Sequence, residues 1–289
     1  MRKQALTFEN ISGRMISMLK SEKIVPVLLL VTVAMAFGLG YLFKEMSDLK
    51  KGTATPATTT AANAGATQPN VTLDTIKGLF SKDLIKIGDA NRKVLFVEIA
   101  DPSCPYCHIA GGYDSELAGV VGSQFKYVSD GGNYDPPVTE MKKLVDSGKA
   151  SFIWIYYPGH SGGEMAAKAL YCANDMGKFW EVDKLLGSEK GYEIENGVNA
   201  QNVATSGPIV GNDKTKSAAL ADFLKSVIDP TAMRTCLDSG KYDSRIQSDQ
   251  AVATSLGVQG TPGFFVNTAV FTGAYSYTDM KSAVDAAIK

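Results

Sequence analysis

The chain has 289 residues, of which 45% are hydrophobic and 20% are charged, and its formal net charge at pH 7 is −1. This length and composition are typical of one good-sized folded domain with appendages. The near-zero net charge excludes a strongly basic nucleic-acid-binding class, so we expect no nucleic-acid partner.

Residues 24–43, IVPVLLLVTVAMAFGLGYLF, contain no charged side chain. As a helix rising about 1.5 Å per residue, this run is about 30 Å long and matches the hydrocarbon core of a bilayer. Residues 1–23 carry five Lys or Arg against two Glu, a net charge of +3, and this bias predicts a cytoplasmic N-terminus. We therefore expect an uncleaved, single-pass signal-anchor helix in the cell membrane. A signal peptide cleaved after Ala34-Met35-Ala36 and a buried core helix are the alternatives.

A Thr- and Ala-rich segment, residues 44–70, follows the apolar run and shows no hydrophobic period. Such a composition is typical of a flexible tether. The folded domain is expected at 71–289, on the extracytoplasmic side of the membrane. Disulfides persist in that environment, so each of the four cysteines in the chain is a candidate for bonding.

The domain begins with predicted strands. KVLFVEIA at 93–100 and SFIWIYY at 151–157 are nearly continuous apolar runs rich in β-branched residues, a pattern typical of strands covered on both faces. Two shorter runs, 262–267 and 269–275, are close enough in sequence to form a hairpin. The final segment, 277–289, has the periodicity of an amphipathic helix.

Helical periodicity dominates the region between the second and third strands, at about 161–257, where Gly240 and Gly257 end two of the predicted helices. Residues 111–150 contain Gly-Gly and Pro-Pro pairs, which predict a loop-rich insertion with one helix near Thr139–Ser147. The order of elements therefore predicts a mixed α/β domain that carries a helical insertion.

The segment ADPSCPYCHIAGG, residues 100–112, places two cysteines three positions apart directly after the first strand. Where a strand turns into a helix, unpaired backbone N–H groups and the helix dipole favour negative charge, and Pro105 is suited to a first helical turn. We therefore expect Cys104 to be exposed and to have a lowered pKa. Cys107, one turn later, is expected to pack beneath it, as in a reactive dithiol.

Residues Cys104 to His108 also form C-x-x-C-H, the attachment signature of a c-type haem. In that alternative His108 is one axial ligand of the iron, and a distant Met or His160 is the second. Haem is the least favoured interpretation, because c-type haem domains are mostly helical whereas this motif follows a buried strand. We expect His108 to be an ordinary residue on the helix surface.

Glu98 interrupts the first apolar strand six residues before Cys104. A carboxylate in a strand buried on both faces is unfavourable unless it is protonated or paired. Beneath a dithiol, Glu98 can carry protons to and from Cys107; an exposed position on an edge strand is the alternative. Thr261-Pro262 begins the third strand, where an X-Pro bond is cis only under a specific structural requirement.

The other two cysteines, Cys172 and Cys236, lie in separate predicted helices of the insertion. Because an unpaired cysteine is a liability in an exported domain, we expect one structural disulfide between them. A zinc site built from the four cysteines and a second relay dithiol are the alternatives.

The order of these motifs resembles the thioredoxin fold in its DsbA-like form, over roughly Ile87–Lys289. The resemblance lies in CPYC opening a helix after a strand, in AKALYCANDMGKFWEVDKLL, and in GVQGTPGFFVN leading the third strand. It implies a thioredoxin-like domain with a helical insertion, preceded here by the predicted membrane helix.

The same resemblance assigns roles to individual residues. It implies Cys104 as the nucleophile, Cys107 as the resolving cysteine and Glu98 as the buried acidic residue. Pro262 would be the cis-proline facing the disulfide, and Thr261 would offer its backbone to a substrate chain by strand-like pairing.

Pro105 and Tyr106 lie between the two cysteines and are candidate substrate contacts. This dipeptide is similar to that of glutaredoxins and differs from the Pro-His of the strongest oxidants in the family. Gly111-Gly112 is expected to end the active-site helix within two turns. Both departures bear on the net redox direction and leave the expected fold unchanged.

The sequence therefore favours a membrane-tethered, extracytoplasmic thiol-disulfide oxidoreductase, most simply an oxidase of exported proteins that carry free thiols. No haem, flavin, nucleotide or metal is needed for this chemistry. The resemblance implies a membrane partner of the DsbB or quinone-reductase type that re-oxidises the dithiol. The alternative function is a thioredoxin-fold module that binds a client protein or a metal without redox turnover.

Overall fold

The computed structural model describes residues 69–289. The predicted cytoplasmic segment 1–23, the predicted membrane helix 24–43 and nearly all of the predicted tether 44–70 lie outside the described residues. Within 69–289, no helix is both long enough and apolar enough to cross a membrane.

A five-stranded mixed sheet forms the centre of the domain, with strand order β1-β3-β2-β4-β5. The strands β2 and β3 run parallel, and the other neighbouring pairs are antiparallel. The central strand is therefore β2, which corrects the alternative of an exposed edge position for Glu98. The strand bounds are β1 Ile85–Ile87, β2 Val94–Ala100, β3 Ala150–Tyr156, β4 Gly263–Val266 and β5 Ala269–Thr272.

Eleven α-helices surround this sheet in the described part of the chain. Those before the insertion are α1 Leu73–Gly78, α2 Pro105–Gly111, α3 Ser115–Val121 and α4 Pro137–Asp146. The insertion between β3 and β4 contributes α5 Glu164–Asp175, α6 Phe179–Leu186, α7 Glu189–Asn196, α8 Ser217–Phe223, α9 Pro230–Asp238 and α10 Asp243–Ser255. The last helix is α11 Tyr277–Ile288.

Both faces of the sheet are covered, because successive residues of each strand point to opposite sides. On one face, Leu95, Val97 and Ile99 of β2 pack in a cluster with residues of α1 and α10. On the other face, Phe96 and Ala100 pack in a larger cluster with α2, α4, α5 and α11. Alternation places Glu98 on this second face, the same side as the active-site helix.

The predicted α/β architecture with a helical insertion is confirmed, and the four predicted strands are present within one to three residues of their expected ends. The short elements β1 and α1 were not predicted. The helix predicted near Thr139–Ser147 is confirmed as α4. The expectation that the rest of 111–150 is loop is wrong, because Asp114 caps the additional helix α3 through its side chain, which accepts a hydrogen bond from Leu117 N.

Candidate active site

Cys104 lies at the junction between the central strand and the helix α2. It is the N-cap residue, with φ −79° and ψ 121°, and Pro105 occupies the first helical turn. The preceding turn is fixed by Asp101, whose carbonyl accepts a hydrogen bond from Cys104 N at 2.9 Å. The Asp101 carboxylate accepts from Ser103 N at 2.9 Å and from His160 N at 2.7 Å. These contacts set the position of Cys104 relative to the sheet.

The Cys104 thiol is buried, and the prediction that it would be exposed is wrong. Both cysteines are free thiols; Cys104 is 0% exposed and Cys107 is 8% exposed. Cys104 is covered by a residue from a distant part of the chain, because its Sγ donates a hydrogen bond to the carbonyl oxygen of Thr261 at 3.5 Å. The sequence did not show that this segment would lie directly against the sulfur.

The two thiols ionise very differently. A hydrogen bond from Cys107 is the largest effect on Cys104 and lowers its pKa; burial opposes this, and Thr261 and the His160 charge assist, so the pKa of Cys104 is about 6. Burial raises the pKa of Cys107 well above its usual range, and the Cys104 sulfur raises it further. Cys104 is therefore the thiol that ionises first, and Cys107 is the one that holds its proton.

Thr261 and Pro262 are joined by a cis peptide bond just before β4. The side chain of Thr261 packs closely against Gly159, where an added Cβ would lie 2.1 Å from Thr261 Oγ1. The Oγ1 atom is buried and has no hydrogen-bond partner among the described residues. A side chain at position 159 would therefore displace the Thr261 hydroxyl group.

Glu98 is 5% exposed and lines a cavity of about 30 Å³ together with Cys107 and Asp183. A polar cavity of this size can hold a water molecule, which needs roughly 10–15 Å³. Burial, reinforced by the charge of Asp183, raises the pKa of Glu98 well above its usual range. The structure therefore places a carboxyl group with a raised pKa in a cavity that Cys107 also lines.

Asp183, on α6 of the insertion, is a second carboxyl group of this cavity. Burial raises its pKa to about 7, and the charge of His108 opposes that rise. Sequence analysis missed it because a single Asp in an amphipathic helix usually faces water. No local sequence signal distinguishes it from the other acidic residues of the insertion.

His108 is buried, which corrects its expected place on the helix surface: the residue is 2% exposed. Its two ring nitrogens lie 3.0 Å from Gly187 O and 2.6 Å from Pro102 O. Neither nitrogen is free to ligate iron, so the arrangement opposes the haem alternative. The helix α2 ends at Gly111, and Gly112 follows with φ +81°.

Tyr106 is the exposed residue of the motif, at 41%. Its ring meets Phe125 edge-on, with 5.6 Å between ring centroids, and Pro105 beside it is half-buried. These two residues give the surface next to Cys104 an apolar character.

Cys172 of α5 and Cys236 of α9 form a disulfide. It joins two helices of the insertion across 64 residues of sequence. Because both sulfurs are bonded to each other, a site in which all four cysteines bind zinc is not formed.

The chain matches a known protein family over its C-terminal half. A family model described as Thioredoxin matches residues 138–286, more than half of the chain. The match includes the whole insertion and Pro262, and the Cys104–Cys107 motif lies before it.

Curated relatives match a longer part of the chain. The Na(+)/H(+) antiporter NhaA 3 of Salinispora tropica is 26% identical over 201 residues, which cover 68% of this chain and 24% of the relative. The chain thus matches only about a quarter of the length of that relative, and the same share of NhaA 1 of Salinispora arenicola, which is also 26% identical.

Among solved structures, a double cysteine-to-alanine variant of alpha-DsbA1 of Wolbachia pipientis is 17% identical with a TM-score of 0.50, covering 75% of this chain and 96% of that one. BdbD of Bacillus subtilis, in its oxidised form, is 20% identical with a TM-score of 0.49, covering 71% and 92%. The chain belongs to the thioredoxin family and has the fold of the DsbA-like thiol-disulfide oxidoreductases.

Proposed function

We propose that this protein is a membrane-tethered, extracytoplasmic thiol-disulfide oxidoreductase that oxidises exported proteins through Cys104-Pro105-Tyr106-Cys107. The observation that carries the proposal is the divergence of the two thiol pKa values, with Cys104 at about 6 and Cys107 well above its usual range. A dithiol that exchanges disulfides needs one good thiolate leaving group and one sulfur that is held for the return step.

The reaction begins from the Cys104–Cys107 disulfide. A thiolate of the reduced substrate attacks Cys104 Sγ, the Cys104–Cys107 bond breaks, and a mixed disulfide forms between substrate and Cys104. Cys107 leaves with the electron pair. Because burial makes the Cys107 anion unfavourable, this thiolate takes up a proton.

The protonated Glu98 carboxyl group is the source of that proton. Glu98 and Cys107 line the same cavity, and a water molecule of the size that this cavity accommodates can relay the proton between them. The Glu98 carboxylate then regains a proton from solvent. This proton enters the cavity from the side of the insertion, where Asp183 is also part of the lining.

The second exchange releases the product. A second thiolate of the substrate attacks the substrate sulfur of the mixed disulfide, and Cys104 leaves as a thiolate. Its low pKa makes it a good leaving group near neutral pH. Two electrons have moved from the substrate to the dithiol, and a membrane redox partner of the DsbB or quinone-reductase type would remove them.

Substrate binding is proposed beside the sulfur that reacts. Thr261 lies in van der Waals reach of Cys104 through its carbonyl group, so an extended substrate segment that pairs with this part of the backbone brings its thiolate to Cys104. Tyr106 adds an exposed apolar contact. These features suit unfolded or partly folded proteins, which expose both backbone and apolar side chains.

Tethering rests on the uncharged run 24–43 and the net charge of +3 that precedes it. The positive-inside bias then places the dithiol on the outer side of the membrane. Protease protection of the full-length chain in inverted and right-side-out membrane vesicles tests this topology. Digestion of the domain in inverted vesicles would contradict it.

A trapping experiment tests the activity. Cys107→Ser is expected to accumulate a mixed disulfide with a reduced, unfolded protein substrate in the presence of glutathione disulfide. Cys104→Ser is expected to form none and to oxidise substrate at the uncatalysed rate, because the remaining thiol, Cys107, has a raised pKa and holds its proton. Equal turnover by Cys104→Ser and wild type would leave the binding-module alternative as the better account.

A further inference from the structure

The imidazole ring of His108 is enclosed at the junction between the active-site helix and the insertion. Its Nδ1 lies 3.0 Å from the carbonyl oxygen of Gly187, and its Nε2 lies 2.6 Å from that of Pro102. A carbonyl oxygen can only accept a hydrogen bond, so each nitrogen needs its own hydrogen to make these contacts. A neutral imidazole carries one N–H and the imidazolium carries two, so the two contacts together require the charged ring.

Glu195 on α7 is the carboxyl group that faces the ring. Its Oε2 lies 3.6 Å from His108 Nε2, and both side chains are almost fully buried. Neither carboxyl oxygen of Glu195 has a hydrogen-bond partner among the described residues. A protonated Glu195 would thus carry a hydroxyl group with no hydrogen-bond acceptor. Each ring nitrogen of His108, by contrast, faces a carbonyl oxygen that can accept a hydrogen bond.

The pKa directions are consistent with a proton on the ring. Burial acts against the charged form of His108, but Glu195 and the Pro102 carbonyl outweigh it, and the pKa of His108 lies above its ordinary value. Burial raises the pKa of Glu195 to about 8, and His108 opposes that rise. The proton can lie on the Glu195 carboxyl group or on the His108 ring, and the hydrogen-bond geometry favours the ring.

The surroundings of His108 are otherwise acidic. The charge of Asp114, at the start of α3, helps to raise the pKa of His108. Three further acidic residues line the same cavity as the ring: Glu98 of β2, Asp101 of the turn and Asp183 of α6. In the described part of the chain, His108 is the one residue of this cavity lining that can carry a positive charge.

We propose that His108 is a positioning residue that stays protonated behind the dithiol, ties the Pro102 turn to the insertion, and stabilises the thiolates of the dithiol and the Asp183 carboxylate during exchange. The effect on the dithiol rests on the proposed function. The charged state of the ring does not, because it follows from the contacts with Pro102, Gly187 and Glu195. A buried cation in this cavity makes the reduced, thiolate-bearing form easier to reach.

The charged state is testable without altering the pair. The chain contains two histidines, so His160→Gln leaves His108 as the sole imidazole of the full-length chain, which is labelled with ¹⁵N-histidine and studied in detergent. We expect both ring nitrogens to show imidazolium shifts at pH 7.5, where a free histidine with a pKa of about 6.5 is about 90% neutral. A neutral tautomer at pH 7.5 would overturn the proposal.

The role in the reaction needs a readout that a purely structural contact would not move. His108→Gln keeps N–H donors but removes the charge, and the thiolate absorbance of Cys104 is titrated in this variant and in Glu195→Gln. We expect a higher Cys104 pKa in His108→Gln, and in Glu195→Gln a lowered His108 pKa seen in the ¹⁵N spectrum. An unchanged Cys104 pKa in a folded His108→Gln protein would overturn the role of the charge.

These outcomes are independent of turnover. If the protein proves unable to oxidise substrates while His108 is an imidazolium and shifts the Cys104 pKa, the proposed function fails and this inference stands. If turnover is normal but the ring is neutral, the inference fails and the proposed function stands.

Discussion

The Cys104 thiol lies 3.5 Å from the carbonyl oxygen of Thr261, although 157 residues separate them in sequence. The contact exists because β4 pairs with the central strand, with Gly263 opposite Ile99. This pairing brings the segment before β4 to the end of β2, where the active-site helix begins. The position of Cys104 is thus set by segments from both ends of the domain.

Gly159 leaves room for the Thr261 side chain, and its substitution is the first test. In Gly159→Ala the new Cβ would lie 2.1 Å from Thr261 Oγ1, so Thr261 must move. We expect the Cys104 pKa to rise above about 6, because the side chain of Thr261 helps to lower it. Alkylation of Cys104 at pH 6 should be correspondingly slower than in wild type. Gly78→Ala, where an added Cβ meets nothing within 4 Å, is the matched control.

Sequence reasoning located the strands, the insertion and the reactive motif because these are local patterns. A buried strand such as β2 is visible as an apolar run, and CPYC is visible as a spacing. The burial of Cys104 and His108 was not predictable, because the residues that cover them lie far along the chain. Thr261 covers Cys104, and Gly187 covers His108. Contacts of that kind depend on how the insertion packs, and no periodicity or spacing encodes them.

Glu98→Gln is expected to flatten the pH dependence of stability. A carboxyl group whose pKa is raised on folding stabilises the folded state fully below its unfolded pKa of about 4.3, and this stabilisation is lost as pH rises through the folded pKa. Burial raises the pKa of Glu98, so the wild-type free energy of unfolding should fall between pH 5 and pH 8. Glu98→Gln removes the group that titrates, so its free energy of unfolding should fall less than that of wild type between pH 5 and pH 8.

Urea unfolding of the full-length chain at the two pH values measures this difference. Glu116→Gln, at an exposed position of α3, is the control and should show the wild-type fall. An identical fall in Glu98→Gln and wild type would mean that Glu98 is already ionised in the folded protein.

The Cys172–Cys236 disulfide is expected to contribute to stability without taking part in exchange. Removing it in Cys172→Ala/Cys236→Ala releases a loop closed over 64 residues, and the free energy of unfolding should fall by about 2–4 kcal/mol. The Cys104 pKa and the trapping of mixed disulfide by Cys104 should be unaffected. Loss of trapping in a variant that remains folded would instead assign these cysteines to an electron relay.

The reduction potential follows from the pKa of the nucleophile. Thioredoxin, with a thiol pKa of about 7, has a potential of about −270 mV. Lowering the pKa from that value to about 6 stabilises the reduced form at pH 7 by about 1 kcal/mol, or about 20 mV. We therefore expect a potential of about −250 mV for Cys104–Cys107, measured by equilibration with glutathione.

A couple at that potential would still be able to oxidise exported proteins, the substrates proposed above, because structural disulfides of secreted proteins typically lie below about −300 mV. The expected value is well short of the strongly oxidising −120 mV or so of DsbA. It also agrees with a dipeptide between the cysteines that is similar to that of glutaredoxins. A potential near about −120 mV would mean that Cys104 is a much stronger acid than the structure indicates.

The ionisation of Cys104 is the most direct test of the whole account. Thiolate absorbance at 240 nm, titrated in the reduced full-length protein and repeated with Cys104→Ser, isolates the contribution of this one sulfur. We predict a midpoint near pH 6 that disappears in the variant. A midpoint near about 8.5, the value of an unperturbed cysteine, would contradict the account.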